Sequence, residues 1–497
     1  MLNKLLVILI VLNIFLSSYW VLNGNLYFHS DIARDFLLVE EIATARKPTL
    51  IGARAGGIEG VFHGPLWLYA NLPAFLLGNG NPVAVAWFWV LLGITAIYVV
   101  SKVSQKLFGR TEAFMSAFLM SVYLITPVHH FLNSDGVLLL SPLYFYYFYK
   151  YTQKPNGLML AISLLFAGVL AQFQLAFGIP IIILTILYSL TISFRNKKYK
   201  HLLVYFVLLI PLSTFILFDI RHDFLQMNAL INKLSQNSLS VWQIVFSVAD
   251  RIKLAVYRLP FSLTKSLAAF LLLILSLLII IRKSDFSSMH RSVINTFLYL
   301  YFGYWALAVF FPGEIAAWYY IGFFPIIFIL IGSLFQKSAF YLLIIVALVL
   351  PRYQSVFSDI NNYSPKPANQ PSHTWQFNKF AAETIFYDAP NEFGYFVLTP
   401  DLYGYPPTYA MHFLQKQNPD KTAVNEKREV TYLLIDESSK NAYANSEVWR
   451  QRDLAITSEP IEVFEYNNGF RVEKYNLSDK ELASPTNPNL INSTFFR

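Results

Sequence analysis

Long apolar stretches separated by short basic loops fill the first two thirds of the chain. A helix needs about 20 mainly apolar residues to cross a membrane, with a range of roughly 17–25. Eleven stretches approach this requirement: 5–22, 82–101, 112–128, 136–150, 157–171, 175–194, 202–219, 263–282, 293–311, 315–333 and 338–350. The sequence therefore predicts an all-α polytopic membrane protein with about eleven transmembrane helices.

The composition supports a membrane protein and excludes several other classes. Hydrophobic residues make up 55% of the chain and charged residues only 14%, against about 25% in soluble domains. The net charge of +8 resides largely in the loops and does not indicate nucleic acid binding. Because cysteine is absent, disulfides, thiolate metal sites and thiol nucleophiles are excluded. There is no phosphate-binding loop or dinucleotide fingerprint, so we expect no nucleotide cofactor.

The charges of the loops predict the orientation in the membrane. Short basic loops belong in the cytoplasm, and they alternate correctly if the N-terminus lies inside and the segment 64–78, which carries two prolines, is interfacial or re-entrant. Gln172 and Gln174 divide the apolar run 157–194 into two spans. We interpret 5–22 as an uncleaved anchor, because Ser17-Ser18-Tyr19-Trp20 is a poor cleavage site. The C-terminus is then extracytoplasmic.

Hydropathy falls near residue 352, and a second domain is predicted beyond it. We expect a membrane domain over 1–351, a Pro/Asn-rich linker over 352–369, a small extracytoplasmic α/β domain over 370–477 and a flexible tail over 478–497. A helical pattern covers 375–386. Strand-like segments cover 394–399, 430–436, 461–466 and 470–475.

The stretch "HSDIARDF" places two carboxylates just beyond the first apolar run. Residues 31–46 show helical spacing of apolar residues, which predicts an amphipathic helix on the membrane surface. Asp31 and Asp35 are four residues apart and share one face, with Arg34 three residues from Asp31. The structural alternative is that Ser30 or Asp31 caps the helix and that Asp35 is a solvated charge.

Two further outside segments carry candidate catalytic or metal-binding side chains. Glu59 and His63 have a spacing that places both on one metal only if the segment is helical, and its glycines and proline argue against a helix. A polar loop at the lipid headgroups is the alternative. Asp135 precedes an apolar run, where it is a candidate acid or simply an N-cap of the next helix.

Basic and aromatic residues at the outside ends of other spans are candidate substrate ligands. In "LFDIRHDF", Arg221 and His222 run against the positive-inside tendency, and a bound phosphate would explain them because Arg forks onto phosphate oxygens. Arg54 belongs to the first outside loop and could share that role. The alternative is an interfacial anchor that snorkels. Tyr319 fits either a substrate contact or an aromatic belt.

The notable polar clusters all fall on the outside face, and four of these segments resemble motifs of the GT-C-type membrane glycosyltransferases. This superfamily includes protein O-mannosyltransferases and lipid A aminoarabinose transferases. The resemblance covers roughly residues 5–335 and is carried by the following segments: "DIARDFLLVEEI" (31–42), "FHGPLWLYANLPAFLLG" (62–78), "NSDGVLLLSPLYFYYF" (133–148) and "AWYYIGFFPIIFIL" (317–330). Gly64 replaces the first proline of the family's second motif, Ile32 replaces a second acid, and the last segment lacks the family's histidine.

The resemblance implies that a sugar moves, with inversion, from a polyprenyl-phosphate donor to a hydroxyl of a glycan, lipid or protein acceptor. It maps the family's base onto Asp31, with Asp35 as a substitute or competitor, and a later acid onto Asp135. Some members hold a divalent metal in the first loop, for which Glu59 and His63 are the nearest match. Arg34, Arg54, Arg221, His222 and Tyr319 are then expected to bind substrate.

Two other classes of function remain open from the sequence. A transporter or flippase of lipid-linked sugars would need a polar pathway, which intramembrane charges usually mark, and the predicted spans hold almost none. A non-catalytic membrane assembly factor would use the outside domain to bind a partner.

Overall fold

The computed structural model of the chain describes residues 2–55, 58–236, 241–257, 287–311, 314–334, 340–401, 403–437 and 445–488. Most of these residues are helical. The α-helices are: α1 Leu2–Ser17, α2 Tyr19–Leu22, α3 Ser30–Ala45, α4 Leu66–Leu77, α5 Pro82–Leu107, α6 Arg110–Leu124, α7 Gly136–Gln153, α8 Gly157–Phe173, α9 Leu175–Arg195, α10 Leu209–Arg221, α11 Leu225–Gln236, α12 Val241–Tyr257, α13 Ser288–Ala308, α14 Phe324–Ser333, α15 Phe340–Asn361, α16 Trp375–Asp388, α17 Tyr405–Gln417, α18 Ser446–Val448 and α19 Asp479–Ala483.

Tighter helical turns connect some of these elements. The 3₁₀ helices are: Pro127–His130, Asn133–Asp135, Tyr199–Leu208, Ala317–Tyr319, Ile321–Phe323 and Pro367–Asn369. The strands are: β1 Glu392–Leu398, β2 Thr422–Val424, β3 Val430–Asp436, β4 Glu462–Glu465 and β5 Phe470–Asn476. The chain forms two compact units. The first comprises Met1–Ser18, Thr49–Ala70 and Trp89–Ile360, and the second comprises Tyr19–Pro48, Asn71–Phe88 and Asn361–Arg497.

The first unit is a helical bundle with a few polar contacts in its interior. Helices α7, α8 and α9 pack in succession, and α1 and α14 both pack against α6. The buried amide of Asn13 donates to Ser121 Oγ at 2.9 Å and accepts from the Tyr353 hydroxyl at 2.5 Å. These bonds link α1 to α6 and α15, because a polar group in an apolar interior must find a partner.

Several predicted boundaries between apolar helices are confirmed. Helix α8 ends at Phe173 and α9 begins at Leu175, so the chain breaks where the two glutamines interrupt the apolar run. Gln172 donates to the Pro211 carbonyl at 2.5 Å and to Thr214 at 2.9 Å. The buried Gln172 amide thus has hydrogen-bond partners, as a polar group inside an apolar bundle requires.

Proline changes two other predicted spans. The run 202–219 begins as a 3₁₀ helix and becomes α-helical only at Leu209, next to Pro211, which has no N–H to donate. In the run 315–333, short 3₁₀ turns precede α14, which begins one residue before Pro325. Neither run is one continuous α-helix as predicted.

Three described helical segments are long and apolar enough to cross a membrane, namely Pro82–Leu107, Leu175–Arg195 and Tyr199–Arg221. Four shorter apolar segments are Leu2–Ser17, Leu66–Leu77, Gly157–Phe173 and Ile321–Ser333. Helix α4 spans only about 18 Å, against about 30 Å of hydrocarbon, so it is too short to cross. The predicted span 263–282 lies outside the described residues, and the total of eleven spans stays a prediction.

The second unit contains a mixed five-stranded sheet of order β2-β1-β3-β5-β4. Strand β1 runs parallel to β2 and β3, whereas β5 runs antiparallel to β3 and β4. Helix α17 makes the crossover from β1 to β2, as parallel strands require. The side chains of Phe396, Leu433, Trp449 and Tyr475 form part of a fully buried core.

The elements predicted for this sheet from alternating apolar residues are found nearly where they were expected. Helix α17 and strand β2 were not predicted. The segment predicted as a flexible tail is packed at its start, because Ser478 caps α19 and the buried Glu481 accepts from Ser478, Thr457 and Ser458.

Candidate functional site

The first turn of α3 carries the charged residues of "HSDIARDF". Arg34 Nη1 donates to Asp31 Oδ1 at 2.7 Å, while Nε and Nη2 donate to Asp35 Oδ1 at 3.1 and 2.9 Å. The Asp31 side chain is 55% exposed, whereas those of Arg34 and Asp35 are 14% and 8% exposed. One carboxylate therefore faces outwards and the other is a buried counter-ion.

The electrostatics of this triad fix Arg34 in its charged form. Burial alone would lower the pKa of Arg34, but Asp35 and Asp31 together raise it above its ordinary value. Arg34 thus holds Asp31 by one oxygen. Oδ2 of Asp31 makes no hydrogen bond to the described part of the chain.

The predicted helix cap is wrong by one or two residues. His29 is the N-cap of α3, and its Nδ1 accepts from the backbone N–H of Asp31 at 3.2 Å. Ser30 donates instead to the carboxylate of Asp401, which also accepts from Thr399 Oγ1 at 2.6 Å. The cap function moves to the imidazole because the Ser30 hydroxyl is engaged by a residue far along the chain. Asp31 is therefore not needed as a cap.

The predicted helix is confirmed, but its apolar face is buried within the protein and does not lie on a membrane surface as predicted, and this face also carries one unexpected charge. Ile32, Phe36 and Val39 are buried. Glu40 is buried as well, with His412 Nδ1 at 2.8 Å and Lys416 Nζ at 2.5 Å. Burial raises its pKa, but the contacts to these two side chains outweigh burial and lower it. These contacts fasten α3 to α17 within the second unit.

Glu59 and His63 belong to a hairpin in the first unit, not to a helix. Across this hairpin the N–H of Gly52 donates to the His63 carbonyl at 2.8 Å, and the N–H of His63 donates to the Ala53 carbonyl at 2.9 Å. Glu59 lies 3.6 Å from Arg54, and both side chains are largely solvated. Glu59 is thus engaged by a cation. No group of three or more His, Cys, Asp or Glu side chains that could hold a metal occurs among the described residues, and we derive no step through a metal.

Gly64, which stands where the resemblance expects proline, closes this hairpin against α8. Its N–H donates to the Gln172 carbonyl at 3.0 Å, a bond that proline cannot make. A Cβ atom at this position would overlap the Gln172 amide and lie 2.9 Å from Gln172 Cα. The departure from the family motif therefore has a local structural reason.

Arg221 and His222 end helix α10 in the same unit. Arg221 is exposed and forms no ion pair with a described residue. His222 stacks on Phe218 with 4.1 Å between ring centroids, and Phe218 in turn contacts Phe62 of the hairpin. Asp219 caps the next helix by accepting from the N–H groups of Gln226 and Met227. The structure thus joins the hairpin of Arg54 to the segment of His222 through two aromatic rings.

Asp135 lies at the start of α7 but does not cap it. Its Oδ2 accepts from the N–H of Leu132 at 2.8 Å and so closes the 3₁₀ turn before the helix. Burial raises the pKa of Asp135 to about 7, against the opposing effect of that hydrogen bond. Tyr319, also in the first unit, accepts at its backbone carbonyl from the Tyr304 hydroxyl at 3.0 Å. Its side chain is half-buried.

Of the predicted residues, the structure therefore brings together Asp31, Arg34 and Asp35 in one unit and, separately, Arg54 and Glu59 in the other. Sequence reasoning missed His29, Asp401 and the partners of Glu40. The sequence could have indicated that Glu40 has a partner. It follows Phe36 by four residues on the apolar face of α3, and a carboxylate buried there requires a cationic or hydrogen-bonding partner. Asp401 gave no local signal.

Comparisons with known proteins agree with the resemblance found in the sequence. Residues 63–218 match the family model described as dolichyl-phosphate-mannose-protein mannosyltransferase. A search of curated protein sequences finds no match. Among solved structures, ArnT from Cupriavidus metallidurans in the apo state superposes with a TM-score of 0.56 at 12% identity, covering 97% of this chain and 99% of that one. ArnT bound to undecaprenyl phosphate gives a TM-score of 0.54 at 14% identity with the same coverage.

An oligosaccharyltransferase from Archaeoglobus fulgidus, in complex with Zn and sulfate, matches more weakly, with a TM-score of 0.43 at 13% identity over 86% of this chain and 68% of that one. The ArnT superpositions cover both the helical bundle and the C-terminal sheet. In its sequence over residues 63–218 and in its fold over nearly its whole length, the chain resembles the GT-C-type membrane glycosyltransferases.

Proposed function

We propose that the chain is a membrane glycosyltransferase that moves a sugar from a polyprenyl-phosphate donor to an acceptor hydroxyl, with Asp31 as the general base. The observation that carries the proposal is the arrangement of three charged side chains in α3. Asp31 is exposed and bonded to Arg34 through one oxygen, whereas the buried Asp35 is the other counter-ion of Arg34. The match to ArnT, a protein solved with undecaprenyl phosphate, supports a polyprenyl-linked donor.

The reaction requires one base and a stabilised leaving group. Oδ2 of Asp31 accepts the proton of the acceptor hydroxyl while the hydroxyl oxygen attacks the anomeric carbon. The bond between that carbon and the phosphate oxygen breaks, and polyprenyl phosphate leaves with the electron pair. Attack from the face opposite to the phosphate inverts the configuration. A second carboxylate of the hydrolase kind is not required.

Fixed positive charge favours departure of the phosphate. Arg221 is the first candidate, because its guanidinium is exposed and forms no ion pair with a described residue. Arg54 is a second, since its contact to Glu59 is long and solvated. We assign His222 and Tyr319 to supporting contacts with the donor, and Asp135 to an assisting acid. Arg34 and Asp35 orient the base.

We place this reaction on the extracytoplasmic face, with the N-terminus in the cytoplasm and the C-terminal domain outside. The alternation of the basic loops supports this orientation. The donor then reaches the site through the membrane, and no nucleotide is needed.

The test uses the purified full chain in detergent with a panel of polyprenyl-phosphate sugars and measures release of polyprenyl phosphate. We expect release from one donor by the wild type and a loss of about 10²–10⁴-fold in Asp31→Asn. The matched control is Glu41→Gln, an exposed acid on the same helix, which should act like wild type. Full activity in Asp31→Asn contradicts the assignment of the base.

The same experiment separates the rival functions. Saturable donor binding without release, together with transbilayer movement of the donor in liposomes, would indicate a transporter or flippase. Neither donor binding nor release, with normal cellular function after loss of both Asp31 and Asp135, would indicate an assembly factor.

A further inference from the structure

The sheet of the second unit has a topological switch point between β1 and β3. The two strands are parallel neighbours, and their carboxyl ends lie at the same edge. The connection that leaves β1 leads through α17 to β2 on one side, while the connection that leaves β3 leads towards β4 and β5 on the other. Diverging connections open a crevice at the carboxyl ends of such strands, and this is where open α/β sheets bind ligands.

Polar and aromatic side chains surround this position, which we call the β1–β3 crevice. Asp401 follows β1, and Asp436 ends β3. His373 precedes α16 and is electrostatically coupled to Asp436. The ring of Tyr27 lies 4.5 Å from that of His373 and 5.2 Å from that of His29. The first loop and the C-terminal domain thus supply side chains to one edge of one sheet.

The β1–β3 crevice adjoins the candidate base. His29, the cap of α3, interacts electrostatically with Asp31 and Arg34 on one side and with His373 and Asp401 on the other. Ser30, the residue between the cap and the base, bonds directly to Asp401. A ligand held at the carboxyl ends of β1 and β3 is therefore next to the exposed carboxylate of Asp31.

The charge in the β1–β3 crevice selects between classes of ligand. Asp31, Asp401 and Asp436 are acidic, and the charge of Arg34 is matched by the buried Asp35. Desolvation lowers the pKa of both His29 and His373, against the opposing effects of Asp31 and Asp436 respectively, so both rings are neutral near pH 7. A phosphate or carboxylate in this place would meet net negative charge and would be repelled.

The aromatic rings add a surface on which an apolar sugar face can pack. Tyr403 is 54% exposed and stacks on Tyr405, with 5.2 Å between centroids and 11° between ring planes. Burial raises the pKa of Tyr27 above its ordinary value, so its hydroxyl stays protonated and can donate or accept. Exposed aromatic rings beside carboxylates and neutral imidazoles provide both stacking and hydrogen bonds to hydroxyl groups.

We propose that the β1–β3 crevice is the acceptor site and that it takes a hydroxyl-bearing saccharide that is neutral or cationic, not a phosphorylated one. The inference rests on the proposed function for the role of the ligand as acceptor. It assigns the C-terminal sheet a direct part in substrate binding, with Asp31 receiving the proton of the bound hydroxyl.

The test measures direct binding to the purified full chain in lipid nanodiscs by saturation-transfer NMR. The probes are the methyl glycosides of mannose, glucose, galactose and glucosamine, and the 6-phosphates of the same sugars. We expect saturable binding of at least one methyl glycoside by the wild type. Its 6-phosphate should bind about tenfold or more weakly, because it would place an anion against the acidic side chains.

Two variants and one control locate the binding. Asp436→Asn weakens the charged hydrogen bonds to the sugar and Tyr403→Ala removes an exposed ring, so each should weaken glycoside binding about tenfold. Tyr403 is exposed enough that its truncation leaves the fold intact. The control is Glu392→Gln, an exposed acid at the opposite end of β1, and it should bind like wild type. Unchanged binding in both variants, equal binding of the 6-phosphates, or no saturable binding of any glycoside overturns the proposal.

Donor binding by the wild type, measured separately by thermal shift with the polyprenyl-phosphate sugars, distinguishes the two proposals. If the donor stabilises the wild type but the variants leave glycoside binding unchanged, the acceptor site is wrong and the function stands. If the variants weaken glycoside binding but the wild type neither binds nor cleaves any donor, the β1–β3 crevice binds saccharides and the proposed transfer is wrong.

Discussion

Arg34 donates from both Nε and Nη2 to a single oxygen of Asp35, at 3.1 and 2.9 Å. The same guanidinium reaches the exposed Asp31 with its remaining terminal nitrogen at 2.7 Å. Two acids that are alike in the sequence are thus given different tasks. Asp35 neutralises a buried cation, whereas Asp31 stays half-exposed with one oxygen bonded to Arg34.

This difference predicts that the two substitutions change the free energy of unfolding by unequal amounts. Asp35→Ala leaves a largely buried guanidinium without its buried counter-ion and should lower the free energy of unfolding by about 3 kcal/mol. Asp31→Asn removes a half-exposed ion pair and should change it by about 1 kcal/mol or less. Thermal unfolding of both proteins in the same detergent measures this. Equal destabilisation by the two substitutions would contradict the assigned roles.

Glu40 makes the attachment of α3 sensitive to acid. Its pKa is lowered from 4.5 in the folded state by His412 and Lys416, so it contributes stability above pH 4.5 that is lost as the pH falls through the lowered pKa. Glu40→Gln should lower the free energy of unfolding by about 1 kcal/mol at pH 7, and the difference from wild type should shrink at an acidic pH well below 4.5. Unfolding curves of both proteins at the two pH values test this. A difference that stays constant with pH would exclude the ionic contribution.

The pKa of Asp135 is shifted in the opposite direction to that of Glu40, so its effect on stability changes with pH in the opposite sense. Its pKa rises from 3.8 to about 7 on folding, so the folded state binds more protons between these values and wild-type stability falls as the pH rises through about 7. Asp135→Asn cannot ionise and keeps an acceptor for the Leu132 N–H. We expect it to be more stable than wild type at pH 8, by on the order of 1–4 kcal/mol, and similar to it near pH 4. Melting temperatures over this range measure the effect, and a pH-independent difference would contradict the raised pKa.

Gly64 has no room for a side chain. Gly64→Ala should lower the free energy of unfolding by about 2 kcal/mol, because Cβ would force the Gln172 side chain from its bonds to Pro211 and Thr214. The control is Gly157→Ala, where the nearest atom would lie 3.6 Å away in Val204, and we expect about 0.5 kcal/mol or less. Equal melting temperatures for the two variants would show that the first site can relax.

Local patterns predicted much of this molecule. Helix α3 follows from the spacing of Ile32, Phe36 and Val39, and the break between α8 and α9 follows from two glutamines in an apolar run. Short apolar or alternating segments located four of the five strands. Helix α17 was missed because Pro406 and Pro407 suggest a turn, although proline is well tolerated in the first turn of a helix.

Contacts between distant parts of the chain could not be predicted in this way. The hairpin that holds Arg54 and Glu59 depends on backbone pairing and on Gln172, more than a hundred residues later. The cap of α3 depends on whether Ser30 finds Asp401, and nothing near Ser30 in the sequence records that partner. The sequence therefore named the candidate base, whereas the contacts around it could be described only from the structure.

The bonds from Ser30 to Asp401 and from Glu40 to His412 join residues 371 and 372 positions apart. At a synthesis rate of about 5–20 residues per second, roughly 20–75 s separate the appearance of the two partners. During this interval α3 lacks the contacts that fasten it. The helix that carries Asp31 consequently reaches its final setting only after His412 has been synthesised, so a product that ends before this residue would lack both contacts.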